Sequence, residues 1–97
     1  MAIGVIMEFD GFQPENYDAV SREVDWPASW PEGLTFHAAG PSGGGMRLIE
    51  VWDSPEQRER WMEGTIRPAI QKVAGDVVAS GPPPRETEFT VHMQAAR

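Results

Sequence analysis

The chain has no cysteine. That absence excludes disulfides, thiolate catalysis and Cys-ligated metal together. Basic residues are scarce: 8 Lys and Arg stand against 15 Asp and Glu, a formal net charge of −7 with a pI near 4.6. Most of such a surface repels phosphate backbones and anionic lipid, so neither nucleic acid nor a membrane is an expected partner. No apolar run approaches the ~20 residues that span a bilayer. The opening MAIGVIMEFD lacks the basic n-region of a signal peptide and turns acidic at Glu8 and Asp10, so the expectation is a cytoplasmic protein. Histidine is limited to His37 and His92, tyrosine to Tyr17 and asparagine to Asn16.

What is present describes a folded domain. Ninety-seven residues, 40% hydrophobic and 24% charged, fit a single domain over 1–97 and are unlike a disordered tail. Four tryptophans in so short a chain need a core, a pocket or a partner to cover them.

The stretch Gly33–Trp61 organises the rest. TFHAA is β-prone, GPSGGG is a turn cluster, MRLIEVW is a second β run, and Asp53-Ser54-Pro55-Glu56-Gln57 is a helix start. Leu34, Phe36 and Ala38 are expected on one face of the first of these strands, and Thr35, His37 and Ala39 on the other. In the next strand Met46, Leu48, Glu50 and Trp52 oppose Arg47, Ile49 and Val51. The glycine-rich tip is no phosphate loop, because a strand follows it and no Lys-Ser/Thr does.

Upstream, Ala2–Phe9 is apolar on both faces, as a central strand would be. Pro14–Val24 reads as a helix with Tyr17, Val20 and Val24 in one apolar stripe. Trp26 and Trp30 each precede a proline, which disfavours helix at the tryptophan and puts both on a loop. They either plug the core or form an aromatic lid over a ligand. Downstream, Ser54 caps a helix whose apolar side runs from Trp61 and Met62 to Ile70 and Val73. Pro68 interrupts it, predicting a kink near Glu63–Thr65, and Ala74-Gly75 closes it. Glu86–Met93 is the last strand.

The order is βαββαβ. It predicts an α+β protein with a four-stranded antiparallel sheet, strand order 4-1-3-2, and two helices on one face. The other face keeps many apolar side chains, and a second copy of the chain is the expected cover: a homodimer, sheet on sheet.

FHAAGP, the glycine-rich hairpin, and the spaced Glu50, Trp52, Ser54 and Glu56 resemble the antibiotic biosynthesis monooxygenase-like group. These are dimeric α/β-barrel proteins with a ferredoxin-like protomer. The resemblance implies a cleft between sheet and helices that takes a small apolar or aromatic ligand, and chemistry without a bound cofactor on an aromatic or polyketide-like substrate. Oxygenases of the group have a Trp where this chain has Trp52, paired with an Asn where it has Leu48. Haem-degrading relatives carry a ligand His near the positions held here by Trp61 and Met62.

The residues that remain for chemistry are few. His37 can act as a base or polar anchor near neutral pH, or be a hydrogen-bonded strand histidine. Trp52, Trp26, Trp30 and Trp61 are candidate apolar walls. Tyr17 can offer its hydroxyl to a ligand or simply pack. Glu50 shares a face with Trp52 and, if covered, needs a partner, with Arg47 and Arg58 as candidates. His37 and His92 fall on opposite outer strands, too far apart to share a metal, so no metal site is expected. Three functions follow: a small enzyme using His37, a non-catalytic carrier or sensor, or a subunit whose aromatics serve only contacts.

Overall fold

A computed structural model describes residues 1–97. Apolar residues on both sides of the N-terminal segment make β1 (Ile3–Asp10) the strand on which the sheet is laid. It is flanked by β3 (Gly45–Trp52) and β4 (Arg85–Thr90), and β2 (Leu34–Ser42) lies outside β3, giving the antiparallel order β2-β3-β1-β4. One face is packed by α1 (Pro14–Glu23), α2 (Pro55–Trp61) and α3 (Arg67–Ser80). This is the ferredoxin-like arrangement expected from the element order. No helix is long and apolar enough to cross a membrane.

Local chemistry explains the joints. Asn16 accepts a 2.8 Å hydrogen bond from the Gln13 backbone and so closes the start of α1. Asp25, in the left-handed region at φ 58°, follows the end of that helix. The turn between β2 and β3 is narrower than the whole glycine cluster: only Gly43 and Gly44 form it, with φ of 58° and 88°, angles that suit glycine in a two-residue hairpin. Ser54 caps α2 by accepting from the Gln57 backbone at 3.3 Å. Pro68 removes a backbone donor, and the helix answers with a π turn over Met62–Ile66, closed by the Arg67 N–H on the Met62 carbonyl.

Four expectations need correction. Leu34 lies on the inner face with His37, because the register slips between Leu34 and Phe36. Thr35 is the extra residue, its hydroxyl held 3.2 Å from the Val51 carbonyl. The helix does not close at Ala74-Gly75; it passes a kink at Ala74 and runs to Ser80, where Val77 and Val78 find cover on the core. Val73 is left exposed. The last strand stops at Thr90, so His92 and Met93 lie beyond the sheet.

The inner face carries the core. Ile3, Val5, Met7, Leu34, Trp52 and Met62 form one cluster, and Phe12, Val20, Met46, Ala69 and Ala74 a second. Phe9 and Leu48 pack against both. The outer face is different. Across it run Phe36, Val51, Gly4 and Phe89 in one row, and Ala38, Ile49, Ile6 and Thr87 in the next. Phe36, Ile49 and Phe89 are exposed there. The third row is polar, with Glu8 between Arg47 and Arg85.

Candidate functional site

The site begins with a register pair. His37 on β2 and Glu50 on β3 are directly opposite on the inner face. His37 Nδ1 and Glu50 Oε2 are 2.7 Å apart. The other carboxylate oxygen accepts a hydrogen bond from Trp52 Nε1 at 3.1 Å. From α1, the Tyr17 hydroxyl reaches His37 Nε2 at 2.7 Å. One hydrogen-bonded chain, Trp52–Glu50–His37–Tyr17, therefore crosses three elements.

Its direction follows from the donors. An ionised carboxylate only accepts, so Glu50 takes the indole N–H from one side and His37 Nδ1–H from the other. In the neutral imidazole Nε2 is then the acceptor, and Tyr17 donates to it. Glu50 is 4% exposed and Trp52 not at all, so a carboxylate left unpaired here would be costly; His37 and Trp52 offset that cost, one at each oxygen. Burial pushes the Tyr17 phenol above its ordinary range, with the Glu50 charge adding to it, against opposing contributions from Ser21 and Trp26. Tyr17 is thus a neutral donor at physiological pH.

Beside this chain is a partly open cavity of about 70 Å³. Tyr17, His37 and Glu50 border it at one end, and Met7, Leu48, Trp61 and Ile66 are among its apolar walls. Trp26 forms part of the wall too, its ring 4.7 Å from that of His37 and 6.4 Å from that of Trp61.

The other sequence candidates fall around this core. Trp52 does not line the cavity; it stands behind Glu50 and fixes it. Trp30 stacks on the far side of Trp26 at 5.1 Å, bonds the Leu34 carbonyl through Nε1 at 2.7 Å, and is exposed. It braces the wall from outside. Neither arginine partners Glu50: Arg47 pairs with Glu8 on the outer face at 2.9 Å, and the buried Arg58 pairs with Glu86 at 2.8 Å. His92 is exposed past the opposite edge of the sheet. No group of three or more His, Asp or Glu side chains is placed to hold a metal ion.

Phe12 was missed. It is 5% exposed and borders the cavity. Its signal was present: Phe12 precedes the cap residue Gln13, with Tyr17 at the fourth helical position, the spacing of a hydrophobic staple.

The topology and the inner cleft define a ferredoxin-like α+β protein with a pocket between sheet and helices. No family model matches the sequence, and no curated protein matches it. Among solved structures, the chain is similar to a Chloroflexus aurantiacus protein provisionally described as an antibiotic biosynthesis monooxygenase, at 20% identity and a TM-score of 0.62 over 97% of this chain and 98% of that one. It is similar to SnoaB, a cofactor-independent oxygenase from Streptomyces nogalater, at 12% identity and a TM-score of 0.62, over 99% and 97% of the two chains. A dimeric ferredoxin-like protein of unknown function from Thermobifida fusca matches at 17% identity and a TM-score of 0.63, over 94% and 92%. At these identities the likeness is one of fold.

Proposed function

We propose that this chain is a small enzyme that works without a bound cofactor on a small aromatic or polyketide-like substrate held between sheet and helices. The observation that carries this reading is the Trp52–Glu50–His37–Tyr17 chain ending at an apolar cavity. A few convergent polar groups in an apolar pocket are what ligand sites commonly show. His37 acts as the base on which the proton of an activated O–H or C–H comes to rest, and Glu50 holds the imidazole and stabilises the imidazolium that forms. The description of SnoaB as a cofactor-independent oxygenase supports the same class of chemistry.

The cavity sets a condition. At about 70 Å³ it is smaller than the ~150 Å³ that admits benzene in an engineered apolar cavity. A ring-sized substrate therefore enters by displacing a wall, and Trp26, carried on a loop, is the wall to move. The protein works as a homodimer through the outer sheet face, where Phe36, Ile49 and Phe89 are exposed. The Thermobifida fusca neighbour's description as dimeric supports this.

Titration with naphthols and quinone-like compounds, followed by Trp fluorescence, tests the pocket. Saturable quenching that is lost when Ile66→Trp fills the cavity is the expected result. Quenching that never saturates, or that survives the filled cavity, removes the reading in favour of a structural subunit.

A further inference from the structure

His37 has no free ring nitrogen. Nδ1 is bonded to Glu50 and Nε2 to Tyr17, each at 2.7 Å, and the Trp26 ring packs 4.7 Å away. A base in that state cannot meet a substrate proton directly without breaking one of these bonds. Tyr17 can. Its hydroxyl is the outer end of the chain, it borders the cavity, and its oxygen can accept after donating to His37, a place for which a substrate O–H competes with the neighbouring Ser21 and Trp26 donors.

We propose that Tyr17 is the group that touches the substrate and passes the substrate's proton to His37, and that the substrate is recognised as a neutral O–H acid, such as a phenol or an enol. The assignment rests on the pocket reading above. In the step the substrate O–H bond breaks and its electron pair stays on the substrate oxygen. The proton forms a new O–H bond on Tyr17, while Tyr17's original proton moves to His37 Nε2. Tyr17 is neutral before and after, and the positive charge rests on His37 beside the Glu50 carboxylate. The phenol's resistance to ionisation suits this role, because no free phenolate is needed at any point. Ion-pair formation between substrate oxyanion and imidazolium then retains the activated substrate.

The experiment uses the full chain and 4-nitrophenol, whose phenolate absorbs separately from its phenol, in buffer slightly below the probe's own pKa. Binding is followed by Trp fluorescence and protonation by absorbance. The wild type is expected to bind the probe with its phenolate band strengthened relative to free probe. Tyr17→Phe, which keeps the ring, is expected to bind it and lose that gain. His37→Gln is expected to lose it as well. A phenolate gain that persists in Tyr17→Phe but is lost in His37→Gln makes His37 the direct base and overturns the Tyr17 assignment. Binding by the wild type with no gain overturns the relay and leaves the pocket standing. Absence of saturable binding removes the pocket and the relay together.

Discussion

Glu50 is the residue on which the site turns. It is almost wholly buried and accepts from both His37 and Trp52. Glu50→Gln keeps the shape and removes the charge that stabilises an imidazolium. Proton transfer in that variant should fall by about a hundredfold, with probe binding largely unchanged; a rate equal to the wild type's would show that the carboxylate only packs. Tyr17 offers a cleaner reading, because it is the single tyrosine of the chain, so the tyrosinate absorbance seen on alkaline titration belongs to it alone. Burial raises its pKa, and the midpoint should lie above the ordinary value of about 10. The sign for stability follows. A raised folded-state pKa means this contribution is intact below about pH 10 and is lost as pH rises through the folded value. A midpoint at or below the ordinary value would contradict the buried, hydrogen-bonded phenol.

At the scale of elements, the caps and joints set where those residues point. Ser54 begins α2 through its hydroxyl, and Ser54→Ala should cost about 1 kcal/mol in chemical denaturation; no measurable loss would mean that the cap is replaced by solvent. Much of this layer was legible. The β3 alternation placed Leu48, Glu50 and Trp52 on one face because strand parity leaves no choice, and Pro68 marked the helical irregularity because it lacks a donor. What parity could not supply was the bulge at Thr35, which returns Leu34 to the inner face. A bulge is fixed by pairing with β3 and Val51, not by residues local to β2. Glu50's partners were misjudged for a related reason. Charge alone suggested Arg47 and Arg58, whereas register brought an imidazole and an indole within reach. The contact between Tyr17 and His37 depends on how α1 lies over β2, which no periodicity reports.

For the whole molecule, the sheet has one face sheltered by helices and one with two rows of apolar side chains bordered by the Arg47–Glu8–Arg85 row. Gly4 gives Phe89 its place on that outer face; a Cβ there would come within 2.2 Å of the Phe89 ring. Gly4→Ala should therefore push the ring aside and weaken dimerisation by at least tenfold in sedimentation equilibrium, while the inner core survives. An unchanged association constant would place the interface elsewhere. The two faces thus divide the work proposed here: one joins copies, the other encloses the pocket. The pocket's claim to chemistry is tested most directly by deuterium uptake, in deuterated buffer, at the acidic C–H of a small enolisable aromatic ketone such as anthrone. Uptake should be faster with the wild-type protein than in buffer alone, and that acceleration should be lost in His37→Gln despite retained binding. Equal uptake with wild type, His37→Gln and buffer would contradict it.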